Sequence, residues 1–142
     1  MVKVSTVILF ILFVLAAGYS VVIIIVPTMV LEGDFQAMTG KSYEEILTPE
    51  AIRVSLVHIR HMEVFAITTM VAGFFILFSG FRKGEKWAWW AMLVIGGIAW
   101  GYGTVLNIVI GNTFDTVVFL VGIVVFLVAL FLPVKKFLAR TA

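Results

Sequence analysis

The sequence predicts an all-α fold: a bundle of four transmembrane helices with a polar outer loop between the first and second. Three observations predict it. Of 142 residues, 63% are hydrophobic and 13% are charged, whereas a soluble domain carries about 25% charged residues. The mean hydropathy is +1.18. The apolar residues also fall into four long runs, each close to the roughly 20 residues that a helix needs to cross a hydrocarbon core.

The first run extends from about Val4 to Leu31, broken only by small or weakly polar residues. Lys3, an apolar stretch and Ala16-Ala17-Gly18 are the ingredients of a secretory signal. The apolar run continues a dozen residues further, too long for a signal core, so a membrane helix is expected. Between this helix and the next lies LEGDFQAMTGKSYEEILTPE, with Gly33 and Gly40 as turn formers. Its length exceeds an ordinary helix connection, and a cap over the bundle is expected. The second helix should start at Thr48-Pro49-Glu50, which offers a hydroxyl N-cap, proline in the first turn and an early acid. It should run over 49–81, uncharged from Val64 onward. The third spans about 87–110 and the fourth about 116–134, so the whole of 1–142 reads as one membrane domain.

Charge gives the expected orientation. Lys3, the connector with Arg82, Lys83 and Lys86, and Lys135, Lys136 and Arg140 fall on one side of a four-pass chain. The opposite connector carries Glu32, Asp34, Glu44, Glu45 and Glu50 against Lys41. Lys and Arg in short loops stay cytoplasmic, which puts both ends in the cytoplasm of a prokaryotic cell membrane. Trp87, Trp89 and Trp90 then stand where indoles anchor at the interface. The net charge of +2 is spread over segment ends, so no nucleic-acid partner is expected. The absence of cysteine excludes thiolate catalysis and sulfur-held metals. No nucleophile–base–acid constellation stands out, and no catalytic residue is assigned.

Ionisable groups inside a membrane are costly and mark candidate sites. Here they gather toward the outer half: Arg53, His58, Arg60, His61 and Glu63 on helix two, Tyr102, Thr104 and Asn107 on helix three, Tyr19 and Ser20 on helix one, and Asp115 opening helix four. One reading is purely structural, with ion pairs Arg60–Glu63 and Glu50–Arg53 at i,i+3. A second is a metal site from His58, His61, Glu63 and Asp115, which are ligand types suited to copper, zinc or iron. A third is cofactor binding by His58, His61, Tyr102 and Asn107, either a quinone or a haem. Two histidines three apart on one helix cannot ligate both faces of one porphyrin, so haem would need Met29, Met38 or another chain. On the third helix, Gly97 and Gly101 form a small-xxx-small pair suited to close helix packing, within the bundle or against another subunit.

Around MTGKSYEEI, TPEAIRVSLVHIRHMEVFAI and FRKGEKWAWWAM, over residues 38 to 92, the chain resembles a set of small four-helix membrane proteins of bacteria and archaea that share an RKGEKWAW-type turn. The resemblance implies the same four-pass fold and carries no reaction with it. The expected function is an accessory or structural subunit packing against a larger membrane complex, or against itself, with no cofactor of its own. A small ligand-binding or redox protein that uses the outer polar cluster is the alternative.

Overall fold

The computed structural model describes residues 1–138, so Arg140 lies outside the described residues. Among the described residues seven α-helices follow one another: α1 Val2–Ile25, α2 Thr28–Thr39, α3 Tyr43–Ile46, α4 Pro49–Ser79, α5 Lys86–Ile110, α6 Thr113–Phe131 and α7 Val134–Leu138, with a 3-10 turn at Phe81–Lys83 between α4 and α5. Four of them, α1, α4, α5 and α6, are long and apolar enough to cross a membrane. They pack as an antiparallel bundle in which α1 lies on α4 and α6, and α5 lies on α6 and α4.

The first helix is shorter than its apolar run. It stops at Ile25, because Val26 precedes a proline and leaves the helical region at φ −124°, ψ 66°. A residue before proline is sterically pushed out of the α region. Hydropathy cannot register that stop, since the residues beyond it are still apolar. The chain restarts after Pro27 as the 12-residue α2, so the segment expected to be a turn-rich loop is helical over much of its length, in α2 and α3. Glu32 joins α2 to α3 by accepting from Ser42 Oγ at 2.9 Å and from the Tyr43 N–H at 3.4 Å. Bonds from Gln36 and Ser42 hold its carboxyl below the usual carboxylate range, with a smaller contribution from the Tyr43 amide. The α4 start forms as the sequence predicts: Thr48 Oγ1 accepts from the Ala51 N–H at 3.3 Å, with Pro49 in the first turn.

The pairing of helices depends on glycines, although not on those of the small-xxx-small pair. A methyl group on Gly96 would sit 2.2 Å from the Phe126 ring, and one on Gly122 would sit 2.1 Å from the Trp100 ring. These two knobs, pointing in opposite directions across α5 and α6, lock the pair. Gly103 receives Phe119 in the same way, and Gly73 of α4 receives Phe13 of α1. Gly97 and Gly101 face open space, with nothing within 4 Å of an added Cβ. The two positions are about 100° and 140° around α5 from Gly96, so they miss α6 altogether. Packing inside the bundle, one of the two roles expected for that pair, is therefore not theirs.

The three-tryptophan anchor also divides. Trp87 and Trp90 are half exposed, whereas Trp89 is 3% exposed and donates from Nε1 to the Leu130 carbonyl at 2.9 Å. Below it, Phe81 stacks on Phe137 of α7 at 4.8 Å between ring centroids, which folds the short C-terminal helix under the basic turn. Gly84 adopts φ +84° in that turn, a left-handed conformation open to glycine without strain.

Candidate functional site

The register of α4 against α1 decides what its polar residues face. Arg60 Nε donates to the carbonyl of Ile24, the penultimate residue of α1, at 3.2 Å. Everything before Arg60, from Pro49 to Ile59, therefore stands beyond the end of α1 by about 16 Å at 1.5 Å per residue. Arg53 and His58 sit on this overhang, and Arg60 and His61 stand at its base. All four are exposed on the chain. His58 Nδ1 is 3.2 Å from the Val54 carbonyl, one turn back in its own helix.

The candidate ligands do not come together. Tyr102 is 64% exposed, while Asn107, five residues on and about 140° around the helix, is partly buried and donates to the Gly103 carbonyl at 2.9 Å. Met29 and Met38 are exposed on α2. No group of three or more His, Asp or Glu side chains among the described residues is placed to hold a metal ion. The set His58, His61, Glu63 and Asp115 is thus dispersed, because α4 turns the histidines outward while Glu63 faces Ser20 of α1. Arg60 reaches up to the end of α1, and the hydrogen bonds of the described residues include neither Arg60–Glu63 nor Glu50–Arg53.

A different polar group does assemble, one level below the end of α1. Tyr19 Oη donates to Asp115 Oδ1 at 3.0 Å. Asn112 Nδ2 donates to Asp115 Oδ2 at 2.9 Å and to Asp34 Oδ1 at 3.2 Å, so one amide bridges two carboxylates. The amide orientation follows from its neighbours: Asn112 Oδ1 accepts the Asp115 N–H at 3.2 Å, and a flipped amide would set oxygen against two anions. Asn112 is the N-cap of α6, held in place by the left-handed Gly111 that ends α5. Thr116 Oγ1 closes the turn on the Asn112 carbonyl at 2.7 Å. Asp115 and Asn112 are both buried.

Three carboxylates, Asp34, Asp115 and Glu63, thus lie within electrostatic reach of Tyr19. The network ties α2, α1 and the α5–α6 turn to one another. Chemically it is a set of paired donors and acceptors that fastens the cap to the bundle. Asp115 was legible as the opening of a helix. Asn112, Asp34 and Tyr19 as its partners were not, although Asn112-x-x-Asp115 has the reciprocal spacing of a capped helix start.

Asp34 lies on α2, outside the spanning helices. Burial pushes its carboxyl above the usual range, the Asn112 bond opposes the rise, and the charge of Asp115 adds to it. A carboxyl with a higher pKa in the folded than in the unfolded chain binds its proton more tightly in the fold. Its stabilising effect is therefore present at low pH and is lost as pH rises through the folded pKa. The expected result is that Asp34→Asn, which keeps an acceptor for Asn112, gains stability relative to the parent as pH rises from about 4 toward 7. Thermal unfolding in detergent at stepped pH checks this, and parallel curves for the two proteins would refute it.

These features define a class, a helical membrane protein whose cap is latched by buried polar groups. Comparison with protein-family models, with curated proteins and with solved structures returns no match.

Proposed function

We propose that this chain is a multi-pass protein of a prokaryotic cell membrane and serves as an accessory or structural subunit that packs against a larger membrane complex. The basic end of the bundle, with Lys3, Arg82, Lys83, Lys86, Lys135 and Lys136, faces the cytoplasm in this reading, and the α2–α3 cap faces the other side. The orientation is supported by the distribution of Lys and Arg over short connectors.

The observation that carries the subunit role is the open face of α5. Gly97 and Gly101 take no part in the bundle and have nothing within 4 Å of an added Cβ. In lipid, helix association is driven by close backbone approach at small residues, and this face is shaped for a neighbouring helix. The exposed His58 and His61 on α4 fit the same role as contacts to a partner at the membrane boundary.

Co-purification in mild detergent tests the proposal. Gly97→Leu/Gly101→Leu is expected to leave the unfolding midpoint of the isolated chain nearly unchanged and to remove the co-purifying complex. A complex that survives this double substitution, or stoichiometric metal or a visible chromophore lost in His58→Ala/His61→Ala, would overturn it in favour of the ligand-binding alternative. Because the chain has no cysteine, Lys83→Cys and Ser42→Cys report orientation directly. Labelling of both from one side would refute the topology.

A further inference from the structure

At the basic end, between the start of α1 and the α6–α7 junction, the surface opens into a cavity of about 720 Å³ lined by Val2, Lys3, Phe131, Leu132, Lys135 and Lys136 among others. We infer that this cavity is a binding site for the headgroup of an anionic phospholipid, with the phosphate held by Lys3, Lys135 and Lys136. The inference rests on the chain being a membrane protein.

Charge complementarity is the first support. The sequence has no acid before Glu32 and none after Asp115, so the segments that build the cavity supply cations without any anion. Glu85, the one acid of the neighbouring connector, accepts from Trp87 Nε1. The end of the Lys136 side chain, Cδ to Nζ, lies beside Gly84 of that connector, which places the Arg82–Lys86 turn next to the cavity. Lysines at the membrane boundary attract anionic headgroups.

The backbone adds to this. α1 has no side-chain N-cap, and its first intrahelical bond runs from the Ser5 N–H to Met1. The N–H groups of Val2 and Lys3 therefore lack helix acceptors at the cavity wall, and such donors favour an anion. The apolar part of the wall distinguishes a lipid from a free ion. Phe131 and Leu132 are nearly half exposed, and they mark the point where α6 ends and the hydrocarbon gives way to headgroups. A glycerophosphate with the first carbons of its chains matches both the size of the cavity, within the usual range of about 300–1,000 Å³ for small-ligand pockets, and its divided lining.

The test uses the full chain purified in a zwitterionic detergent, with dioctanoyl phosphatidylglycerol, dioctanoyl phosphatidylcholine and inorganic phosphate as probes. Binding is read from amide chemical shifts of Val2–Val4 and Val134–Leu138. Saturable shifts with the phosphatidylglycerol alone are expected, weakened at least about tenfold in Lys3→Gln/Lys135→Gln/Lys136→Gln. Arg82→Gln/Lys83→Gln/Lys86→Gln removes equal charge from the same end and is expected to stay within about threefold of the parent. Leu132→Trp, which fills the cavity without changing charge, should weaken binding as well and guards against loss of fold in the lysine variant. Equal binding of phosphatidylcholine would reduce the cavity to an apolar groove. Saturation by inorganic phosphate would make it an ion site, and equal losses in the two charge variants would make it a diffuse surface potential. Any of these three results overturns the proposal. A chain that needs no detergent to stay monodisperse would instead remove its premise.

Discussion

Gly122→Ala and Gly96→Ala are each expected to lower the stability of the bundle by about 1–3 kcal/mol, the usual cost of forcing extra methyl volume into a packed core. The added Cβ would lie 2.1 Å from the Trp100 ring in the first case and 2.2 Å from the Phe126 ring in the second. Neither ring has room to withdraw, since Phe126 is fully buried and Trp100 nearly so. Gly97→Ala and Gly101→Ala provide the contrast. With open space around both, they should be neutral or gain up to about 1 kcal/mol from helix propensity. Unfolding in mixed micelles with increasing denaturing detergent measures all four. Equal losses at Gly96 and Gly97 would show that α5 presents a different face to α6. The pairs Gly96–Phe126 and Gly122–Trp100 are reciprocal, so the double variant should cost less than the sum of the single ones if α5 and α6 simply move apart.

The second large effect is expected at Asp115. Asp115→Ala removes the acceptor of the part-buried Tyr19 hydroxyl and one of the two acceptors of the buried Asn112 amide, at a cost of about 1–3 kcal/mol in total. Tyr19→Phe removes one donor together with its need for a partner and should cost about 1 kcal/mol. Once Asp115 is gone, the Tyr19 hydroxyl is a liability, so Tyr19→Phe/Asp115→Ala should be no less stable than Asp115→Ala alone. Strictly additive losses would mean that the bond contributes nothing. Asp115→Asn should fall between, because it preserves an acceptor for one donor while placing an amide N–H toward the other. The loss should be local as well. Hydrogen exchange is expected to speed up first in α2, which the network fastens through Asp34, while α1 and α4 remain protected by their own packing.

The class of fold was legible because it depends on a property that adds along the chain. Four apolar runs in a polypeptide with 13% charged residues admit few solutions, and backbone hydrogen bonding in lipid makes each run a helix. The start of α4 was legible for a different reason: Thr48, Pro49 and Glu50 act only on their own turn. The end of α1 was less so, because a proline stop is steric and hydropathy continues past it.

The candidate site was mostly not legible. His58 and His61 on α4 and Tyr102 and Asn107 on α5 share a level along the helices, but the rotation of each helix about its axis sends them in different directions. That rotation is set by which glycine receives which ring. Gly96 rather than Gly97 faces α6, and this single choice turns Tyr102 outward and Asn107 inward. Arg60, a helical-wheel neighbour of Glu63, donates instead to the Ile24 carbonyl at the end of α1, where helix carbonyls lack intrahelical partners. Asp34 and Asp115, far apart in the chain, meet through Asn112 only once α2 has folded across the end of the bundle.

The sequence by itself determined the all-α class, the number of helices long and apolar enough to cross a membrane and the end of the bundle at which cations collect, since each follows from composition summed over a segment. Only the tertiary structure decided which polar groups meet, where α5 is left open and that a cavity lies beneath the lysines. Those outcomes depend on helix rotation and register, which are fixed by contacts between side chains remote in the chain and leave no trace in any local window.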